Sequence, residues 1–126
     1  MSARAKAASV RAAPARAGLK AATLRSSAAV FAALGDETRL RLVAALCAGS
    51  AMSIAQLTAG TDITRQSVTQ HLQVLADAGL VHDVKVGRER LWAFEPAHLD
   101  AARRALDAIS RQWDQALLKL KTMVEE

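Results

Sequence analysis

The carboxyl-terminal quarter of the chain carries apolar residues at a spacing that long, paired helices require. Successive members lie alternately three and four positions apart, at Leu99, Ala102, Leu106, Ile109, Trp113, Ala116, Leu120 and Met123. This is the repeat of a helix that packs along its length against another helix. Pro96 precedes the run, where its missing N–H costs nothing, so we predict a helix over roughly 97–124. Because a chain of 126 residues offers no second helix of that length, we predict that two copies pair as a symmetric homodimer.

The positive charge of the chain is concentrated at its amino end. The full sequence has 17 Lys+Arg against 12 Asp+Glu, a net charge of +5. Six of the basic residues and none of the acidic ones lie in residues 1–25, namely Arg4, Lys6, Arg11, Arg16, Lys20 and Arg25. We interpret this segment as a flexible tail, because it has little apolar bulk. A basic arm that contacts DNA phosphates and a targeting peptide are the alternatives.

Composition excludes several classes of protein. No apolar run approaches the ~18 residues that a membrane span needs. The single cysteine, Cys47, allows neither an internal disulfide nor a multi-cysteine zinc site, which favours a reducing, cytoplasmic setting. No nucleophile stands with an orienting base, no glycine loop suits a phosphate, and no carboxylates cluster. We therefore expect no enzymatic activity and no cofactor.

Capping residues and glycines divide the middle of the chain into four predicted helices. Short polar side chains precede each apolar segment, and a glycine follows it, as is typical of helix ends. The predicted helices span 28–34, 37–48, 54–59 and 65–78, with caps at Ser26 or Ser27, Asp36, Ser53 and Thr64.

The second of these helices has an apolar stripe that predicts where its cysteine lies. Leu40, Val43, Ala44 and Cys47 follow the i, i+3, i+4, i+7 spacing of one helix face. On this pattern we expect Cys47 to be a buried structural thiol rather than a reactive one.

Two further signals complete the predicted fold. The third and fourth helices, separated by a tight glycine-containing turn, form a helix-turn-helix. Alternating apolar residues over 80–86 and 89–94, joined by Gly87-Arg88, predict a β-hairpin. The fold class is therefore mainly α: a winged helix-turn-helix with a two-stranded hairpin as wing and a long carboxyl-terminal dimerisation helix. We expect a tail over 1–25, a DNA-binding domain over 26–96 and the dimerisation helix over 97–126.

The fourth helix has two faces of opposite chemistry. Val68, Leu72 and Leu75 form an apolar face, and a polar stripe lies opposite. Glutamine can pair with adenine through two hydrogen bonds, and threonine can contact several base edges, so the stripe suits the major groove of DNA. An ordinary solvated helix face is the alternative. The residues expected to contact bases are Gln66, Thr69, Gln70 and Gln73.

Cationic and small polar residues beside this stripe suit the DNA backbone. Basic residues cluster at the hairpin tip, although a merely solvated tip is the alternative. His71 borders the stripe and is expected either to contact a phosphate or to be packed locally or solvated. The full set of expected backbone contacts is Thr64, Arg65, Ser67, His71, Lys85, Arg88 and Arg90.

Four motifs in this order resemble the ArsR (ArsR/SmtB) family of winged-helix transcriptional regulators. They are ALGDETRL at 33–40, QSVTQHLQVL at 66–75, AGLV at 78–81 and GRER at 87–90. The resemblance implies a bacterial repressor that binds an inverted-repeat operator overlapping a promoter. It also implies a dimer interface made by the first and last helices. This adds Phe31 to the residues from Leu99 to Leu120 of the apolar repeat on the last helix, which we call the seam.

The chain departs from the metal-sensing members of that family. The stretch that corresponds to their thiolate site, residues 51–56, holds no cysteine, aspartate or histidine. The last helix has His98 but no second histidine, so we expect no metal site. Two alternatives to a simple DNA-binding regulator stay open. One is a sensor of the same fold gated by a small molecule or oxidant, and the other is a protein–protein module that does not bind DNA.

Overall fold

A computed structural model describes residues 20–125 of the chain. This part of the chain forms helices, three short strands and a long final helix, close to the predicted positions. Residues 1–19, which make up most of the predicted tail, lie outside the described residues. The elements are α1 (Ala21–Leu34), α2 (Glu37–Ala48), β1 (Met52–Ser53), α3 (Ile54–Ala59), α4 (Arg65–Asp77), β2 (Val81–Val86), β3 (Glu89–Phe94) and α5 (Pro96–Glu125).

Side-chain caps begin the three central helices where the sequence places them. Asp36 and Thr64 each accept a hydrogen bond from the backbone N–H three residues later, at 3.0 and 3.1 Å. Ser53 and Gln56 form a reciprocal capping box, with each side chain accepting from the other residue's backbone N–H. These bonds satisfy backbone donors that a helix start otherwise leaves unpaired, which is why the amino ends of α2, α3 and α4 were predictable.

The first helix is longer than predicted. It begins at Ala21, so residues 21–25 of the predicted tail are helical and Ser26 and Ser27 lie inside the helix instead of capping it. Ser26 Oγ donates to backbone carbonyls about one turn earlier, at 3.2 Å. Alanine favours the helix in this stretch, and α1 packs along the first part of α5, which supports its added turns.

The hairpin has the predicted turn but gains a third strand. β2 and β3 pair antiparallel, with Val86 opposite Glu89, and Gly87 takes a φ of 64° in the connecting turn. β1 pairs with the other edge of β3, where Met52 lies opposite Trp92, giving the strand order β1-β3-β2. The prediction of a two-stranded sheet is therefore incomplete, because two residues are too short to show a strand's alternation.

The hydrophobic core lies where α1, α2, α4 and the base of the sheet meet. Its members come from helices and strands along the whole described chain, so a single cluster holds the domain together. They are Val30, Ala33, Leu42, Val43, Leu46, Leu57, Val68, Leu72, Leu75, Leu80, Val81, Trp92 and Ala102.

The orientation of α2 differs from the prediction. Val43 is buried as expected, but the core takes Leu42 and Leu46 rather than the other members of the predicted stripe. Leu40 is half exposed, and Cys47 is exposed, so the prediction of a buried thiol is wrong. The observed rotation of α2 buries three apolar side chains of leucine and valine, whereas the predicted stripe ends in the small residues alanine and cysteine. The observed rotation therefore removes more apolar area from water than the predicted one would.

The apolar seam of α5 divides into two parts. Near its start, Ala102 has no exposed surface and Leu99 packs against the core, because α1 covers this stretch within the same chain. Ala102 therefore cannot contact a second copy, contrary to the expected interface. Farther along the seam, the large apolar side chains are 44% to 67% exposed: Leu106, Ile109, Trp113, Leu120 and Met123.

No helix within residues 20–125 combines the length and the apolar character needed to cross a bilayer.

The connection from α4 to β2 depends on a glycine. Gly79 has a φ of 81°, and a Cβ at this position would lie 2.6 Å from Nδ1 of His98. We expect Gly79→Ala to lower the free energy of unfolding by more than the ~1–2 kcal/mol that a left-handed residue costs alone. Urea denaturation followed by circular dichroism measures this change.

Gly87→Ala is the matched control for this substitution. Gly87 also has a positive φ, but a Cβ added there would meet no atom within 4 Å. Its loss of stability should be confined to the backbone cost. Equal losses in the two variants would contradict a role for the contact with His98.

Candidate nucleic-acid interface

One face of helix α4 packs into the core. Val68, Leu72 and Leu75 have no exposed surface, and α3 packs beside them as the first helix of the helix-turn-helix. Leu80, which directly follows the α4 connection, is also fully buried. These contacts fix the rotation of α4 about its axis, so the opposite face points to solvent.

The predicted polar stripe lies on that outer face. All four of its side chains, Gln66, Thr69, Gln70 and Gln73, are exposed. Thr69 Oγ1 donates to the backbone carbonyl one turn earlier at 2.8 Å, which leaves its oxygen free to accept. Gln73 Nε2 donates to Oδ1 of Asp77 at 2.9 Å, so its amide group is partly engaged within the helix.

The amino end of α4 brings together three of the expected backbone contacts. Arg65 is exposed, whereas Ser67 is half-buried. The hydroxyl of Thr64 is engaged as the helix cap. A helix start of this kind presents backbone N–H groups and the positive end of the helix dipole, which suit a phosphate.

The wing tip presents two of its three predicted cations freely to solvent. Lys85 and Arg88 are exposed beside the Gly87 turn. Arg90 instead donates through Nε to Oδ2 of Asp83 at 2.9 Å, and its guanidinium lies 4.9 Å from the ring centroid of Trp92. These contacts hold Arg90 against the hairpin. The contact between Asp83 and Arg90 was not predicted, although the hairpin register brings the two residues to one face of the sheet.

His71 points inward from α4. Its Nδ1 lies 3.3 Å from Nη1 of Arg39 and 4.0 Å from Oδ2 of Asp36. The pKa of Asp36 is lowered, chiefly by the hydrogen bond from the Arg39 backbone and also by the charge of the Arg39 side chain. Of the two alternatives for His71, this geometry favours local contacts. No sequence pattern signals the contact between Arg39 and His71, because 32 positions separate them.

Within residues 20–125, no group of three or more histidine, cysteine, aspartate or glutamate side chains is placed to hold a metal ion. Cys47 stands at the exposed carboxyl end of α2.

Comparisons with known proteins agree with the fold described above and with the family that the sequence motifs resemble. A family described as a helix-turn-helix domain matches residues 34–84. The HTH-type transcriptional regulator Rv2034 of Mycobacterium tuberculosis is 34% identical over 103 residues, which cover 82% of this chain and 92% of that protein.

Two solved structures resemble the chain over most of its length. An ArsR-like transcriptional regulator from Rhodococcus sp. RHA1 is 37% identical with a TM-score of 0.73, covering 81% of this chain and 95% of that one. A homodimeric winged helix-turn-helix DNA-binding domain from Mycobacterium bovis is 26% identical with a TM-score of 0.57, covering 77% and 86%. Together with the four motifs and the winged helix-turn-helix architecture, these likenesses show that the chain belongs to the ArsR family of winged-helix transcriptional regulators.

Proposed function

We propose that the chain is a repressor that binds an inverted-repeat operator in double-stranded DNA as a homodimer. The observation that carries this proposal is the division of α4 into two faces. Val68, Leu72 and Leu75 are fully buried, and the opposite stripe of amide and hydroxyl side chains is exposed. Bacterial DNA lies in the cytoplasm, so the proposal places the protein there.

The exposed stripe is proposed to contact base edges in the major groove. Gln66 and Gln70 present whole amide groups, each able to pair with the donor and acceptor of an adenine. Thr69 contributes a hydroxyl oxygen and a methyl group, the latter suited to a thymine. Gln73 contributes its carbonyl oxygen and one amide N–H, since its other N–H donates to Asp77.

Contacts to the DNA backbone are proposed to flank this stripe. Thr64, Arg65 and Ser67 lie at the positive end of the α4 dipole, and Lys85 and Arg88 extend from the wing. Arg90 is proposed mainly to hold the hairpin in shape, because Asp83 and Trp92 occupy its guanidinium. Phosphate contacts of this kind orient a protein on the duplex without reading its sequence.

The proposed dimer interface is the exposed part of α5 together with Phe31 of α1. Leu106, Ile109, Trp113 and Leu120 are all at least 44% exposed and repeat along one face of the helix. Ala116 lies between them on the same face. An exposed apolar face of this length is typical of a protein–protein interaction site. The Mycobacterium bovis structure is a homodimer of the same fold, which supports a dimer as the assembly proposed for this chain.

The domain division is also a proposal. Residues 20–95, together with the start of α5, are proposed to form the DNA-binding domain, and the rest of α5 is proposed to serve dimerisation. Arg4, Lys6, Arg11 and Arg16 precede the described residues and are proposed to strengthen non-specific contact with DNA phosphates.

Selection of bound sites from a pool of random duplexes tests the proposed function. Two recognition helices related by a two-fold axis should meet successive major grooves about 34 Å apart. We therefore expect the selected sites to share an imperfect palindrome with half-sites about one helical turn apart. Selection of single, unpaired half-sites would contradict the dimer, and recovery of random sequence would contradict specific binding.

A pair of variants tests the dimer interface separately. Trp113→Glu places a charge on the exposed seam, and we expect it to shift the protein from dimer to monomer in analytical ultracentrifugation. Leu118→Glu is the control, since Leu118 is 65% exposed but lies on the opposite side of α5. Dissociation in both variants, or in neither, would contradict the proposed face.

Replacement of Gln70 tests whether the exposed polar stripe of α4, which we call the reading face, contacts bases. We expect Gln70→Ala to weaken binding to the selected operator by about 1–3 kcal/mol and to relax the base preference at one position of each half-site. Fluorescence anisotropy with operator variants measures both effects. Gln115→Ala, an exposed glutamine of α5, is the control. An unaltered preference in Gln70→Ala would place the reading face elsewhere.

Replacement of Arg88 tests the wing contact. We expect Arg88→Ala to weaken binding to operator and random duplex alike. The plot of log affinity against log salt concentration should flatten by about one unit per protomer, because one phosphate contact is lost. Titrations at several salt concentrations measure the slope. An unchanged slope would show that the wing tip does not contact phosphate.

A further inference from the structure

One guanidinium group connects three helices of the domain. Arg39, in the first turn of α2, donates through Nε to the backbone carbonyl of Ala33 at 2.6 Å, in the last turn of α1. Its Nη1 lies 3.3 Å from Nδ1 of His71 on α4. Carbonyls in the last turn of a helix lack donors within the helix, so Arg39 satisfies one of them. The Arg39 side chain therefore ties the carboxyl end of α1 to the middle of the recognition helix.

The chemistry of the two side chains defines the direction of this hydrogen bond, which we call the Arg39–His71 bridge. Guanidinium can only donate, so in the bridge His71 Nδ1 is the acceptor. The charged groups that face the ring are Arg39 and Asp36, both from α2 and its cap. α1 contributes the Ala33 carbonyl, which Arg39 already occupies.

The apolar contacts beside the bridge are thin. An open groove runs between α1 and α4 next to Arg39, and its walls include Ala29, Ala32, Val74 and Ala78. Short side chains offer few contacts across such a gap. A directional hydrogen bond beside the groove therefore has more influence on the relative position of the two helices than it would beside a closely packed contact.

The two helices that Arg39 connects have different proposed tasks. α1 packs along α5, which carries the proposed dimer face, whereas α4 carries the proposed reading face. Any change in the angle between α1 and α4 alters the distance between the two reading helices of a dimer. We propose that Arg39 is a positioning residue for DNA recognition: through its hydrogen bond to His71 it fixes α4 against α1 and so sets the half-site spacing that the dimer accepts. This inference rests on the proposed binding of an inverted repeat by a homodimer.

Full-length Arg39→Met and Arg41→Met proteins test the bridge. Both variants lose one positive charge from α2, but Arg41 is exposed and pairs only with Glu37 of the same helix among the residues described. The probes are the operator selected by the wild-type protein, the same operator with one base pair added or removed between half-sites, and a random duplex.

We expect Arg39→Met to bind the selected operator about tenfold more weakly and to discriminate little among the three spacings. Its affinity for random duplex should stay within about twofold of that of Arg41→Met, which should keep the wild-type spacing preference. A wild-type spacing preference in Arg39→Met would overturn the inference. Absence of any preferred operator for the wild-type protein would instead refute the proposed function itself.

Two His71 variants keep the inference testable if Arg39→Met does not fold. The Oδ1 of His71→Asn stands near the place of Nδ1 and can accept from Arg39, whereas the amide of His71→Gln stands near the place of Nε2. We expect His71→Asn to bind the selected operator at least about fivefold more tightly than His71→Gln. The reverse order would indicate a phosphate contact through Nε2 and would overturn the bridge.

Discussion

The burial of one face of α4 is the constraint on which the rest of the structure depends. Val68, Leu72 and Leu75 are completely enclosed, and truncating a residue in such a position typically costs about 2–5 kcal/mol. α1, α2, α3 and the base of the sheet are arranged around these three side chains. Because the inner face is specified by packing, the outer face needs no packing role and is free to carry hydrogen-bonding groups.

The charge distribution indicates how such a surface would work. Outside residues 1–25 the chain has 11 basic and 12 acidic residues, so residues 26–126 are close to neutral. At the wing, Arg90 is engaged by Asp83, which leaves Lys85 and Arg88 as the cations of the tip. With so few free cations, recognition would depend more on the placement of amide groups than on general attraction to phosphate.

Features that depend on neighbouring residues were predictable from the sequence, and features that depend on distant residues were not. Asp36, Ser53 and Thr64 cap helices through bonds that span three residues, so the sequence shows them directly. The outward face of α4 was predictable for the same reason, from helical periodicity. The rotation of α2 was not, because its sequence holds two overlapping apolar stripes and only the core selects between them. The exposure of Cys47 follows from that selection.

The candidate site shows the same division. The glutamine stripe and the cations of the wing tip could be predicted as a set, since each lies within one local element. The bond between Arg39 and His71 joins two helices and has no local signature. The coverage of Ala102 by α1 likewise depends on how the first and last helices pack, which periodicity in α5 alone does not reveal.

The short connection between α4 and the wing has a kinetic consequence. Gly79 turns the chain, the N–H of Leu80 donates to the carbonyl of Leu75 at 2.9 Å, and the N–H of Glu95 donates to the carbonyl of Leu80 at 2.8 Å. The base of the hairpin is thus bonded to the end of the helix. Once α4 occupies a groove, the wing is held at a high effective concentration beside the adjacent backbone. Its contacts would then act mainly on the lifetime of the complex rather than on the rate of first encounter.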